Sequence, residues 1–459
     1  MEAETLGQLP VAELVTLVLQ QQATMERLQA RIAELEAVLG KPRKTPENSS
    51  LPPAAARKPN RPVEAGGERK RGPASGHVGV TRQTMEPTER LEVRVARCDR
   101  CGADLAALAQ QPTERRQLVD LPPVQPQVQE AVVHRVVCPD CGQTHTAAFP
   151  AGFPAPVAFG PRVRAAASYL HEVHHLPYAR LRQVVGELFG LDVAVGSLVN
   201  LVRRTGQALE PAAAAVLAEV RTSAVVGSDE TGQRIAGRNA WQWVVQTPEA
   251  SAYVIAPSRG AGVLRDLLGD HHPEVWVSDC WSAQLQAPAK RFQLCLAHQL
   301  RNLQYAQDCG DRQFAPAMAA VLGDALALGK ERHALAPTVF ARRHAEIEAA
   351  CDQLLAEDTA HREGQRLQRR YRTHRDKLFV FLERSDVPAD NNASERALRN
   401  SVIHRKVTGG FRSDWAPVAY TTLLSVVETA KKQGQAVFAT LLGASLSPLA
   451  TASTPPAPT

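Results

Sequence analysis

No stretch of this 459-residue chain approaches the ~18 consecutive apolar residues that a membrane helix requires. A basic secretory leader is missing too, because Glu2 and Glu4 stand where its positive charges would be. These absences lead us to expect a cytoplasmic protein with no membrane partner. A large charge surplus is also lacking: the net charge is +6, which says little about partners until it is located. Between Lys41 and Arg71 nine basic residues face three acidic ones, 9 − 3 = +6, so this segment equals the excess of the whole chain. Disulfides are not expected in a cytosolic chain of this size, so its eight cysteines are read as thiols or metal ligands. The length suggests about three units, and core burial is not limiting.

From Val11 the apolar positions run Val11, Leu14, Val18, then Gln21, then Met25, Leu28, Ile32, Leu35 and Leu39, spaced alternately by three and four. This is a heptad seam over residues 1–40, expected to be a self-associating coiled coil, with a lone amphipathic helix as the alternative. Residues 41–90 carry eight prolines among Ser, Gly and basic side chains, a composition expected to form a linker rather than a core.

Two CxxC pairs follow in residues 91–150, as Cys98-Asp-Arg-Cys101-Gly and Cys138-Pro-Asp-Cys141-Gly. Two thiolates two residues apart can share one Zn²⁺, and a following glycine permits the positive φ that turns amides toward sulfur. Four Cys ligands make the zinc structural, since no open coordination position is left for chemistry, with disulfide or redox pairs as the alternative. The long gap between the pairs would be closed by a hairpin in residues 115–137, whose valines alternate like strands.

Residues 155–220 read as helical. Leu176 to Leu188 and Ser197 to Ala208 flank Gly190-Leu-Asp-Val, and the second carries Arg203 and Arg204. The arrangement fits a DNA-reading helix-turn-helix, and equally any helical hairpin. From residue 223 the period changes. Ser223 to Ser228, Arg238 to Gln246 and Ala252 to Ala256 are expected strands, Gly262 to Gly269 a helix, and Glu274 to Ser278 a further strand. Three strands, a helix and a strand ending in Asp give the order of an α/β, ribonuclease-H-like mixed sheet. This catalytic domain would take residues 221–310 and 384–415, interrupted by a charged helical insertion at 311–383. A helical segment, 416–445, and a disordered tail, 446–459, close the chain.

Phosphodiester transfer needs an activated oxygen, a stabilised phosphate and a stabilised leaving oxygen. Two Mg²⁺ ions roughly 3.5–4 Å apart meet all three needs and demand oxygen ligands. Asp229 follows the run Val225-Val226-Gly227-Ser228, and Asp279 closes Val275-Trp276-Val277-Ser278. Acids ending adjacent strands would face one another, although a lone strand-end Asp is more often a turn residue. Glu395 lies in the early turns of a helix starting near Asp390-Asn391-Asn392, where local chemistry alone equally permits an i,i+4 pair with Arg399.

With these residues in view, the chain resembles transposases of the IS66 insertion-sequence family. The heptad helix, Asn48-Ser49-Ser50 beside prolines, the double CxxC, Asp229-Glu230-Thr231, Asp279 and Asn391-Asn392-x-x-Glu395-Arg396-x-Leu398-Arg399 occur in that family's order. The resemblance spans nearly the whole chain. It implies a bacterial, nucleoid-associated DDE transposase in which Asp229, Asp279 and Glu395 hold two Mg²⁺ or Mn²⁺ ions. Such an enzyme binds terminal inverted repeats, cuts a strand and joins it to target DNA, acting as at least a dimer and with accessory proteins of the same element as further partners. Two departures bear on subgroup: Cys280-Trp281 replaces the Gly-aromatic pair after the second Asp, and the stretch through Arg405, Lys406, Gly409, Gly410 and Arg412 differs from the family wording.

Cys295-Leu-Ala-His298-Gln-Leu-Arg301 also matches similar transposases. As a metal site the pair lacks two ligands, so His298 and Arg301 are expected to contact the scissile phosphate or brace the acids, with a satisfied core histidine as the alternative. From Arg396 to Arg412 five basic residues, Arg396, Arg399, Arg405, Lys406 and Arg412, meet no acidic one, which suits DNA backbone contact or a solvated face. The competing function is a non-catalytic zinc-ribbon and coiled-coil DNA-binding regulator. A third is a ribonuclease-H-like nuclease without strand transfer.

Overall fold

The computed structural model describes residues 82–446, together with residue 79 and the stretches 10, 15–16, 19–29, 31, 42 and 44–49. Of the heptad seam, Gln21, Met25 and Leu28 are described and helical, and Met25 and Leu28 are exposed. The other seam positions, most of the linker and the tail from 447 lie outside the described residues. Within the expected linker, residues 44–49 include two buried side chains, Asn48 and Ser49. Asn48 Oδ1 accepts from Thr45 N at 2.7 Å and Ser49 Oγ donates to Thr45 O at 2.5 Å, closing a turn. Asn48 is 4% exposed and donates to Asp308 at 2.8 Å. An Asx-type turn supplies local hydrogen bonds that composition alone does not reveal.

The chain divides into two units, residues 58–128 with 188–190, and the remainder. In the smaller unit Arg97 and Asp104 form a bridge around the first CxxC turn, and residues 109–128 contain no helix or strand. The expected hairpin over 115–137 is therefore replaced. Pro122, Pro123 and Pro126 remove amide donors and interrupt the alternating valines. Only β1 (Arg135–Val137) is a strand, and it pairs with β2 (Thr144–Thr146) across the second CxxC turn in the larger unit.

The larger unit continues with α1 (Pro161–Ser168), a π-helical turn (Tyr169–Val173), α2 (Tyr178–Phe189) and α3 (Val195–Val220). The second helix of the anticipated hairpin is thus much longer than Ser197–Ala208. The alanine-rich stretch after Pro211 sustains it, and its last turns deliver Val216 and Val220 to the sheet. A five-stranded mixed sheet then forms from β3 (Val225–Ile235), β4 (Arg238–Gln246), β5 (Ser251–Ala256), β6 (Val275–Ser278) and β7 (Arg291–Leu294), in the order β5-β4-β3-β6-β7. β4 runs antiparallel to both β3 and β5, whereas β6 runs parallel to β3 and β7 parallel to β6. The crossover from β5 to β6 carries α4 (Gly262–Leu268).

Strand alternation assigns two faces. Val226, Trp243, Val245 and Trp276 point to one, which α3 and α4 cover through Val216, Val220, Leu264 and Leu268. Val275, Val277 and Leu294 point to the other, where α5 (Leu296–Asp308), α6 (Phe314–Glu331), α7 (Pro337–Ala356), α8 (Arg362–Thr373) and α9 (Val380–Glu383) build one core with them. Farther along this face, α10 (Asn392–Thr408) and α11 (Trp415–Lys432) pack Leu398, Tyr420 and Leu424 on Val244 and Tyr253. α12 (Val437–Leu446) returns to α1 and α3. Among the described residues no helix is long and apolar enough to cross a membrane.

Candidate metal-binding carboxylate site

β3 does not end at Ser228 as its apolar run suggests. It continues to Ile235 because β4 pairs with it as far as Ile235 opposite Arg238, through the tight turn at Ala236 and Gly237, both at positive φ. On its other edge, however, pairing with β6 stops at Gly227 opposite Val277. Two residues farther on, Asp279 is the first residue past the end of β6, and Asp229 still lies in β3, on the face of Val275 and Val277 by alternation. That is the face on which α10 lies.

Glu395 occupies the first turn of α10. The helix start is pinned from several directions. Asn391 Nδ2 donates to Ser228 O at 2.7 Å, Asn391 N donates to Cys295 Sγ at 3.1 Å, and Asp390 Oδ1 accepts from Asn392 N at 3.0 Å. Leu296 N, opening α5, donates to Ala389 O at 3.0 Å. Gly227 makes the approach possible, since a Cβ there would lie 2.7 Å from Gln246 Nε2 and 2.9 Å from Ser394 Oγ.

Asp229 senses its acidic neighbours. Burial first, and then the charges of Glu230, Asp279 and Glu395, push the Asp229 carboxyl well above the usual range, against a single lowering contact from Glu230 N. Among the described residues neither Asp229 nor Asp279 has an ion-pair partner. Glu395 has weak ones: His298 Nδ1 at 3.5 Å and Arg301 Nη2 at 3.9 Å. Burial holds His298 below its ordinary pKa, with Glu395 acting in the opposite direction. Of the two roles expected for His298 and Arg301, the geometry places both beside the carboxylate.

Asp279 and Glu395 stand near enough to act on the Asp229 carboxyl, and hard carboxylate oxygens of this kind are the ligands a divalent cation such as Mg²⁺ takes. Glu230, next to Asp229, does not join them. Its alternation turns it to the opposite face, where Arg259 sits 2.8 Å away and Gln284 donates at 2.7 Å. The Arg259 guanidinium lies between the rings of Trp241 (4.5 Å) and Trp281 (4.0 Å). This clamp was not foreseen in the sequence, although Trp281 follows Asp279 by two residues.

The basic block divides. Arg396, Arg399, Lys406 and Arg412 are exposed, whereas Arg405 is half-buried and bonds the backbone carbonyl of Gly232 in β3. Arg203 and Arg204 on α3 are exposed as well.

Each CxxC turn has the local form of a zinc knuckle. Gly102 N donates to Cys98 O and Gly142 N to Cys138 O, both at 2.9 Å, and the glycines adopt φ of 74° and 71°. Amides of Cys101 and Arg100 hold the Cys98 thiol below its ordinary pKa, and those of Cys141 and Asp140 do the same for Cys138. Amides aimed at sulfur favour thiolate, the form a metal takes.

Residues 156–419, more than half of the chain, match the model of the transposase IS66 family. The chain belongs to this family. Residues 96–142, which hold all four knuckle cysteines, match the zinc-finger binding domain of transposase IS66. Asp229, Asp279 and Glu395 all fall inside the IS66 transposase match. An uncharacterized protein, y4jO of Sinorhizobium fredii (strain NBRC 101917 / NGR234), is 40% identical over 76 residues, 17% of this chain. The chain covers 24% of the length of that relative.

Proposed function

We propose that this protein is a DDE transposase that cuts and joins DNA at the ends of an insertion sequence, with Asp229, Asp279 and Glu395 as its metal ligands. The observation that carries the reading is the approach of Asp279 and Glu395 to Asp229, near enough for their charges to act on its carboxyl, just past the point where the parallel pairing of β3 with β6 stops. The strand order and directions accord with a ribonuclease-H-like sheet, and the helices between β7 and α10 with an insertion carrying chain from the second acid to the third. Mg²⁺ or Mn²⁺ at these oxygens would supply an activated attacking oxygen and charge stabilisation at the leaving one. The chain's own residues do the positioning: Asn391 ties the Glu395 helix to β3, and His298 and Arg301 orient the Glu395 carboxylate.

Exposed Arg396, Arg399, Lys406 and Arg412 suit phosphate contacts along the DNA, which neutralise charge without reading sequence. Recognition of terminal repeats would then rest with the zinc module, with Cys98, Cys101, Cys138 and Cys141 on one Zn²⁺, or with α2 and α3. The heptad helix would bring two copies together.

The test is cleavage of labelled element-end DNA with Mg²⁺ by wild type and by Asp229→Ala, Asp279→Ala and Glu395→Ala. Wild type should cut, and each variant should lose several orders of magnitude while retaining DNA binding. Cleavage that survives Glu395→Ala overturns the triad. Binding by all four proteins with cutting by none, in the presence of the element's other proteins, points to a regulator.

A further inference from the structure

In sequence, Cys295 and His298 lack the additional ligands that a metal site needs. The structure supplies a third from far along the chain. Cys295 Sγ, His298 Nδ1 or Nε2 and a Glu395 oxygen all lie within 4.8 Å of one another. Cys295 ends the β7 strand extension, His298 stands in the first turn of α5, and Glu395 in the first turn of α10, so two helix starts and a strand end converge. His298 Nδ1 and Glu395 Oε1 are both buried atoms without a hydrogen-bond partner. Cys295 Sγ accepts the Asn391 amide, the contact that zinc-bound thiolates use.

We propose that Cys295, His298 and Glu395 form a site for a borderline or thiophilic divalent cation, Zn²⁺ above all, whose occupation withdraws Glu395 from the carboxylate triad and switches the protein off. A tetrahedral Zn²⁺ with one sulfur, one nitrogen and one oxygen ligand sets its ligand atoms roughly 3.3–3.6 Å apart. Shifts of about 1 Å from the present spacing reach that geometry by side-chain rotation. The fourth position is left to water, so the site is exchangeable, unlike a four-cysteine knuckle. Hard Mg²⁺ gains nothing from sulfur or imidazole and keeps to the oxygens of Asp229, Asp279 and Glu395. Zn²⁺ prefers the mixed set. Glu395 is the only group common to both, and an ion drawing it toward Cys295 leaves the two aspartates without their third ligand. Binding stands on the geometry alone, and only the inhibitory consequence rests on the triad reading.

The test uses the full-length protein with its knuckle zinc in place and two readouts. Co²⁺ is titrated into wild type, Cys295→Ser and His298→Gln, following the thiolate-to-cobalt charge-transfer band. Exchange at the knuckles is common to all three proteins and cancels in the difference. Wild type should show one further equivalent carrying that band, which Cys295→Ser lacks. His298→Gln should bind at least about 100-fold more weakly, since losing even an outer-shell partner costs 10–100-fold. Identical titrations of wild type and both variants overturn the site. In the second readout, Mg²⁺-dependent cleavage at rising Zn²⁺ is normalised to each protein's zinc-free rate. The half-inhibitory Zn²⁺ concentration should rise at least tenfold in both variants, and equal sensitivity overturns the switch. A wild type that binds the additional cobalt but never cleaves DNA removes the triad reading and leaves the metal site standing.

Discussion

Replacing Glu172 by Gln should remove the loss of stability that this carboxyl imposes between weakly acidic and weakly alkaline pH. Glu172 lies in the π-helical turn after α1, its side chain 9% exposed and Oε2 without a hydrogen-bond partner. The nearest base is His171, with Nε2 at 3.8 Å, but burial keeps that imidazole below its ordinary pKa and the ring stacks on Tyr178 at 3.9 Å. No counter-charge is therefore in place, and burial pushes the Glu172 carboxyl from 4.5 up to about 8. A raised folded pKa means that the native state holds a proton which the unfolded chain releases. The stabilising contribution is complete below 4.5 and is lost as the pH rises to about 8. The difference, 8 − 4.5 = 3.5, corresponds at ~1.4 kcal/mol per unit to a loss on the order of 5 kcal/mol, an upper bound because water reaching the carboxylate would soften it. Gln reproduces the shape and neutrality of the protonated acid. Urea unfolding of both proteins from about pH 5 to 9 isolates the effect, because other titrating groups cancel in the difference. The wild type should be the equal of the variant at the acid end and several kcal/mol less stable at the alkaline end. Parallel curves would refute the reasoning and mean that Glu172 is hydrated or ion-paired in the native state.

Three further outcomes follow from the geometry. Gly227→Ala places a Cβ 2.7 Å from Gln246 Nε2 and 2.9 Å from Ser394 Oγ; it should cost about 1–3 kcal/mol of stability and, by shifting the first turn of α10, about 100-fold in DNA cleavage, measured on protein shown to be folded by circular dichroism. Arg396→Ala and Arg399→Ala should each lower the slope of log DNA affinity against log salt by about 1 without changing sequence preference, as read by binding isotherms at several salt concentrations; an unchanged slope would place these arginines off the DNA path. After dialysis against a mild chelator that strips exchangeable metal, zinc analysis should give one ion per chain, and Cys98→Ser and Cys138→Ser should each abolish it, whereas loss in only one of them would show that the two turns do not share an ion.

Much of the sheet was legible because its strands are short apolar runs bounded by polar turns. β4, the helix α4 and the strand that ends in Asp279 fall within a residue of their expected limits. β3 ran past its expected end because Thr231, Gln233 and Arg234 do not alternate like a half-buried strand, and only pairing with β4 holds them extended. β7, four residues leading straight into α5, is too short to announce itself. The polar contacts were the least visible part. Nothing local distinguishes Arg405, which turns in to Gly232, from Arg399, which faces outward, and the Arg259 clamp depends on Trp241 in β4 and Trp281 in the loop after β6. Glu172 looks like any helical glutamate until the π-helical turn directs it inward.

The Glu395 position has the same origin and a consequence for how the acids are held. Asp229 and Asp279 need only adjacent parallel strands to meet, and a register shift of one residue would turn either to the opposite face. Glu395 arrives more than a hundred residues after Asp279, on a helix whose start is fixed by Asn391, by the missing side chain of Gly227 and by the amide of Leu296. Those contacts keep Glu395 where its charge, with those of Glu230 and Asp279, raises the Asp229 carboxyl, a repulsion that an ion bound as proposed would offset. Arg259 is committed to Glu230 across the sheet, and among the described residues the arginine paired with a triad acid is Arg301, 3.9 Å from Glu395. If either arginine neutralised the aspartates instead, the acids would be more stable and less able to take up a metal. The separation of the Arg259 clamp and the triad onto opposite faces of β3, enforced by the alternation of Asp229 and Glu230, is what keeps that charge deficit in place.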